Sequence, residues 1–212
     1  MTKTSSSQLD CRFCAIARGH TFHGAVDRPI DSTADYIGIA SIGAFIEGWS
    51  LVLPKDHCLS LRDFYAVEPF SDFLRHVVER VEASYGPSVV FEHGANHRGS
   101  LTSCGTDHGH MHIVPISFSV RDALRESDLA SWEHVHASAI RDKVGNHEYL
   151  FFSEVPGQKD LMGNVHKLTS PVSQFFRKVI AARVGATDVA DYRQHLFLTT
   201  ARRTRERLAK VA

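Results

Sequence analysis

The segment Asp107-His108-Gly109-His110-Met111-His112-Ile113-Val114-Pro115 places three imidazoles at alternate positions. Side chains two apart on a β-strand share a face, so the spacing predicts a strand that aims His108, His110 and His112 one way and leaves Met111 and Ile113 for the other. Histidine is not a favoured fully buried residue; lining one face with three of them gives up apolar burial for chemistry. Near neutral pH an imidazole serves as metal ligand, general base or nucleophile, and the alternation by itself does not choose among these. A half-exposed strand that happens to be histidine-rich is the bland alternative, disfavoured by the strictness of the alternation.

Cysteines stand at 11, 14, 58 and 104. The Cys11-x-x-Cys14 turn brings two thiolates close enough to hold one zinc ion. Zinc wants four ligands and no second such turn exists, so histidines must supply the rest. A redox dithiol is the other use of this motif, but the strand that precedes it in a thioredoxin-like fold is missing before Cys11. Disulfides are not expected in a cytosolic setting.

Several elements must position these groups. Residues 34–44 and the run Leu51-Val52-Leu53, closed by Pro54, predict two antiparallel strands around a turn at 43–48. Pro69 opens a helix whose Phe70, Phe73, Leu74, Val77, Val78, Val81 and Tyr85 recur at three- and four-residue spacing and which Gly86-Pro87 ends. Residues 89–92 read as a strand, with Glu92 and His93 as its satisfied polar end. The polar stretch 94–105 reads as a loop feeding the histidine strand, where phosphate donors belong. Beyond Pro115, Leu124, Leu129, Trp132, Val135 and Ile140 carry helix-compatible spacing over 120–142, with a break at Ser127-Asp128 that would cap a second helix. Residues 149–155 are β-prone, and 171–184 predict an amphipathic helix with Phe175, Phe176, Val179 and Ile180 inward. The basic end carrying Arg202, Arg203, Arg205, Arg207 and Lys210 reads as a solvated final helix.

A chain of 212 residues fits one domain with an extension, and 43% hydrophobic with 23% charged residues is ordinary globular composition. A net charge of zero gives no electrostatic reason for nucleic-acid binding. No apolar run reaches the length of a membrane span, and the Ser/Thr-rich start has no apolar core; the expectation is a cytoplasmic protein with a disordered beginning over 1–9.

His108-Gly109-His110-Met111-His112-Ile113-Val114 resembles the His-x-His-x-His-x-x signature of the histidine triad family of nucleotide hydrolases and transferases. Cys11-Arg12-Phe13-Cys14-Ala15-Ile16 is similar to the family's N-terminal segment, and Gly48-Trp49-Ser50-Leu51-Val52-Leu53-Pro54-Lys55-Asp56-His57 to its strand ending in Pro-Lys-x-His. The resemblance runs over residues 9–118. It implies an α+β fold, with an antiparallel sheet of about five strands and helices on one face. A catalytic domain at 10–118 is then followed by an extension at 119–212 packed on the core. It further implies that His110 attacks the α-phosphorus, that His112 holds phosphate oxygens, and that His108 or its carbonyl orients the nucleophile. A structural zinc would be held by Cys11, Cys14, His57 and His108, with Cys58 or Cys104 as possible substitutes.

For nucleotide contacts the resemblance points to Asn96, Ser103 and Thr106 in the loop. Ser41 stands where the family carries an acid for the ribose diol, which removes that charge-assisted bond, and Phe45, Gly48 and Trp49 are candidates to line a base pocket. Ser173-Gln174-Phe175-Phe176-Arg177 is similar to a C-terminal segment of larger bacterial relatives, where Gln174 and Arg177 could reach a phosphate. The implied partner is a nucleotide and the implied assembly a homodimer. Retention of the third histidine, where transferring relatives carry glutamine, favours hydrolysis. Nucleotidyl transfer, a metal-dependent hydrolase and a non-catalytic nucleotide sensor are the other readings.

Overall fold

The computed structural model describes residues 11–103, 106–125, 129 and 131–211; the disorder expected over 1–9 and the cap expected at Ser127-Asp128 lie outside them. In chain order the elements are α1 (Arg12–Ala17), β1 (Asp31–Ser32), β2 (Tyr36–Ala40), β3 (Ser50–Pro54), α2 (Glu68–Tyr85), β4 (Ser88–Gly94) and β5 (Met111–Pro115). There follow α3 (Val120–Leu124), β6 (Glu133–His136), α4 (Ile140–Val144), β7 (Tyr149–Ser153), β8 (Met162–Lys167), α5 (Phe175–Arg183) and α6 (Leu198–Leu208).

All strands join one antiparallel sheet in the order β1-β2-β3-β5-β4-β7-β8-β6. The fold is α+β as expected, but the sheet has eight strands where about five were expected. The additional ones are β6, β7 and β8, which continue the sheet past β4 through pairs such as Phe91 with Phe152 and Glu92 with Phe151. Both neighbours of β4 therefore lie within this chain.

Helices cover both faces of the sheet, not one. On one face α2 buries Phe70, Phe73, Leu74, Val77, Val78 and Val81 in a core with Val52, Val90, Met111 and Ile113. Each such side chain contributes about 1.5–3 kcal/mol of burial, so packing holds the helix; Gly86, at φ +86°, ends it. On the other face Phe13 and Ile16 of α1, Val120 and Leu124 of α3, and Phe176 and Ile180 of α5 share a core with Leu51, Leu53, Phe91, Val114 and Phe152. With both faces covered, β2, β3, β4 and β7 are buried at every residue.

The segment 120–142 differs from its expected broken helix. Leu124 belongs to α3, Val135 to the edge strand β6 and Ile140 to α4. Each element sends an apolar residue inward, and their order along the chain imitates a helical period. No helix among the described residues is long and apolar enough to cross a membrane.

Candidate functional site

The ladder of β5 begins at Met111, so among the three histidines only His112 lies in the strand, opposite Leu51 of β3 and Phe91 of β4. His108 and His110 occupy the approach to it. The alternation still holds: Met111 and Ile113 pack on the α2 side, while Phe13 of α1 stands edge-on to His108 and His110, with ring centroids at 5.8 and 5.2 Å. Between them Gly109 donates its N–H to the Cys58 carbonyl at 2.7 Å. A Cβ at Gly109 would come within 2.8 Å of the Ser60 backbone, which is why a residue without a side chain separates the first two histidines.

The ring of His108 has polar partners of its own. Its Nε2 donates to the Pro54 carbonyl at 2.9 Å; a carbonyl only accepts, so in the neutral ring the lone pair is on Nδ1. That atom lies 3.3 Å from Cys11 Sγ and 3.5 Å from Cys14 Sγ, and His57 Nδ1 lies 3.4 Å from Cys14 Sγ. One ligand atom from each of Cys11, Cys14, His57 and His108 falls within 4.8 Å of every other. A tetrahedral zinc with bonds of about 2.3 Å to sulfur and about 2.0–2.1 Å to nitrogen separates S from N by roughly 3.6 Å, so donor chemistry and spacing both fit that ion. The Pro54 carbonyl supplies the outer partner that a zinc-bound histidine needs. Burial, the hydrogen bond to Cys11 and its charge push the Cys14 thiol up to about 12, and burial pulls His108 down to about 4. A cation would reverse the first of these shifts. Cys58 is not in the quartet and offers its carbonyl to Gly109 instead; Cys104 lies outside the described residues.

His110 and His112 line a cavity of about 110 Å³ with Arg12, Phe13, Ser41, Ile42, Gly43, Leu51, Ser103, Thr106, Arg177 and Tyr192. Among the described residues no carboxylate lines it, and guanidinium, imidazole and hydroxyl groups supply its polar part: an environment for an anion. His110 Nδ1 donates to the His108 carbonyl at 2.7 Å, which leaves the lone pair of the neutral ring on Nε2. Burial lowers its pKa and the carbonyl bond opposes the shift. His112 is held well below its ordinary value by burial and by its neighbours His110, His93 and Arg177. It stacks on Phe91 at 4.5 Å, and its Nδ1 lies 3.0 Å from the indole Nε1 of Trp49. Behind it His93 is buried, with Nε2 accepting from the Phe176 N–H at 3.3 Å, and burial brings it to about 3. Glu92, on the other face, accepts from Tyr65 and Tyr149 hydroxyls at 2.5 Å each and from the Leu61 N–H at 2.6 Å. Glu92 and His93 thus both have hydrogen-bond partners, as read from the sequence.

Ser41, Ser103, Thr106 and Arg177 thus reach the cavity; Asn96 and Gln174 do not. Asn96 donates its Nδ2 to the Asn146 carbonyl at 2.7 Å, in a separate groove with His97 and His147. Gln174 precedes α5 at φ +56°, the only positive φ outside glycine among the described residues. Its side chain donates to Asp191 at 2.8 Å and accepts from the Tyr192 N–H at 3.2 Å. It therefore fixes the turn that delivers Tyr192 to the cavity wall, where the Tyr192 Cβ sits so close to Gly43 that a Cβ there would meet it at 2.7 Å. Arg177 is 3% exposed; its Nε donates to the Ala190 carbonyl at 3.0 Å, and its guanidinium lies over Trp49, Phe45 and Tyr192 at 5.1, 5.3 and 5.7 Å. Trp49 is fully buried, and neither it nor Phe45 nor Gly48 lines the cavity as a base pocket.

Arg12 and Tyr192 were not singled out in the sequence. Arg12 carries a signal only in retrospect, beside Cys11 and paired with buried Asp27. Tyr192 is brought in by a contact with no local pattern.

No protein-family model and no curated protein matches the chain. Among solved structures, a hypothetical protein from Leishmania major is similar over 53% of this chain and 77% of its own, at 22% identity and TM-score 0.43. A Hit-like protein involved in cell-cycle regulation from Bartonella henselae is similar over 51% and 81%, at 19% and 0.40. A Zn-bound histidine triad family protein from Mycobacterium smegmatis is similar over 54% and 80%, at 23% and 0.40. At these identities and scores the likenesses assign no chemistry, which has to be read from the site itself.

Proposed function

We propose that this chain is a histidine triad enzyme that hydrolyses a nucleotide ester, phosphoramidate or anhydride through a nucleotidyl-histidine intermediate. The observation that carries this reading is the hydrogen bond from His110 Nδ1 to the His108 carbonyl, which leaves a nucleophilic Nε2 on a ring that lines a cavity with Arg12 and Arg177. The Nε2 lone pair attacks the α-phosphorus as the bond to the leaving group breaks, and the leaving group takes a proton from solvent, which the water of the second step returns. Water then attacks phosphorus, the P–N bond breaks, and a nucleoside monophosphate and free imidazole result. Arg177 and Arg12 offset the charge of the phosphoryl oxygens, and His112 with the hydroxyls of Ser41, Ser103 and Thr106 orients them.

Cys11, Cys14, His57 and His108 would hold one zinc ion, a cross-link with all four positions closed by protein. His108 then acts only through its carbonyl. A metal-dependent hydrolysis using all three histidines as ligands is disfavoured, because their Nδ1 atoms turn to a thiol pair, a carbonyl and an indole. Both neighbours of β4 belong to this chain, so the expected homodimer would pair through another surface.

Intact mass spectrometry after quenching the protein with a panel of nucleotide donors tests the reading. One added nucleoside monophosphoryl group on His110 is expected, and its base identifies the substrate. Donors left unchanged by a saturating amount of protein would reduce the site to a nucleotide sensor.

The extension can be tested separately. Charge-assisted hydrogen bonds contribute about 1.5–3 kcal/mol, so Arg177→Ala is expected to raise the Michaelis constant by roughly 10- to 100-fold. Gln174→Ala is expected to act more weakly and through Tyr192. Steady-state kinetics showing both variants at wild-type values would make α5 a packing element only.

A further inference from the structure

His112 is the one triad ring whose partner is an indole. Trp49 leads into β3, its N–H donating to the Ile46 carbonyl and its carbonyl accepting from Ser41. Its fully buried ring stands edge-on to Phe45 and Phe91, at 5.3 and 5.9 Å, beneath the Arg177 guanidinium. His112 is clamped as well, stacked on Phe91 with 19° between the planes. Two fixed rings thus meet at one hydrogen bond of 3.0 Å. An indole N–H can donate and cannot accept. Nδ1 of His112 must therefore carry a lone pair, and the proton of the neutral ring must be on Nε2.

We infer that Trp49 is a positioning residue that fixes His112 in its Nε2–H tautomer, making the third histidine an obligate hydrogen-bond donor toward the cavity and removing it as a competing nucleophile. The triad is then divided by its partners: the Pro54 carbonyl turns His108 to the thiols, the His108 carbonyl gives His110 a free Nε2 lone pair, and the Trp49 indole denies one to His112. A tryptophan that served only to fill the core would place its ring here equally well, but the tautomer would not depend on it. Burial, together with the neighbouring His110 and His93 rings and the cationic Arg177, disfavours a doubly protonated His112, so the neutral tautomer is the form that matters. The catalytic half of the inference rests on the reading of His110 as nucleophile; the tautomer does not.

Two-bond ¹⁵N–¹H correlation spectra of the zinc-loaded full chain at neutral pH test it. His112 is expected to show a pyrrole-type Nε2 and a pyridine-type Nδ1 in the wild type, and a mixture of tautomers in Trp49→Phe. Loss of a group that orients a catalytic ring costs roughly 10- to 100-fold, so kcat in that variant is expected to fall by this factor with KM little changed. The chain has two tryptophans, so Trp132→Phe assigns the Trp49 indole resonance, which is expected to move upfield in His112→Ala even if Trp49→Phe does not fold. An Nδ1–H tautomer in the wild type, an indole resonance indifferent to His112→Ala, or a folded Trp49→Phe that keeps either the Nε2–H tautomer or the wild-type kcat would overturn the inference. The predicted tautomer in a protein that forms no nucleotidyl adduct would instead sink the proposed hydrolase alone.

Discussion

Replacing His110 by asparagine is expected to lower turnover by at least about 10³-fold, the scale of losing a nucleophile while binding and electrostatic groups remain. Asparagine can fill part of the space but cannot form the phosphorus–nitrogen bond. The fold should survive, because His110 precedes the β5 ladder and its ring faces an existing cavity, with Phe13 at 5.2 Å and His112 at 4.7 Å as its ring neighbours. Its removal enlarges that cavity and breaks no sheet hydrogen bond, so a stability loss near the ordinary ~1 kcal/mol of a point substitution is expected. Paired measurements decide: turnover and adduct mass should vanish while the melting temperature moves by only a few degrees. Turnover within tenfold of the wild type would place the nucleophile elsewhere.

The parts of this molecule that could be read in its sequence are those with a strong local period or a strict spacing. The α2 stripe, the Leu51-Val52-Leu53 run and the alternation around His110 each declare themselves within a few residues, because a helix face or a strand face fixes side-chain direction locally. The eight-stranded sheet did not. Strand β8 contains Gly163, Asn164 and a half-exposed His166, and β6 buries only Val135, so neither carries the apolar run or clean alternation that marks a strand. Spacing also misled at Gln174. The three-residue interval to Arg177 places two side chains on one side only if both residues are helical, and Gln174 stands before the helix in a left-handed conformation. Its side chain consequently holds Tyr192, while Arg177 alone reaches the cavity. All four residues of the quartet were named from the sequence, but spacing alone reached only the Cys-x-x-Cys half, a local geometry, and the family resemblance supplied His57 and His108. Those two histidines are brought in by β3 and β5, adjacent strands whose pairing no spacing rule reports.

Cys14→Ala is expected to abolish zinc binding and to cost more stability than any other substitution proposed for this chain. Cys14 is buried at 3% exposure and its sulfur lies within 3.5 Å of ring nitrogens on both His57 and His108, so its loss opens the tetrahedron at its centre. A zinc ion held by the quartet would tie α1 to the segment after β3 and the approach to β5, which already meet through the Gly109 N–H and the Cys58 carbonyl. Without it α1 is held mainly by Phe13 and Ile16, and Phe13 also walls the His110 cavity; activity should fall along with stability. Loss of a metal belongs to the few changes that cost about 4 kcal/mol or more, which at this chain length lowers the melting temperature by roughly 8–16 °C. Cys58→Ala is the control, expected to retain the ion because its sulfur is outside the quartet. Elemental analysis of metal-replete protein should give about one zinc per chain for the wild type and Cys58→Ala and close to none for Cys14→Ala. Absence of zinc from the wild type, or its full retention in Cys14→Ala, refutes the site and frees His108 for a part in the chemistry.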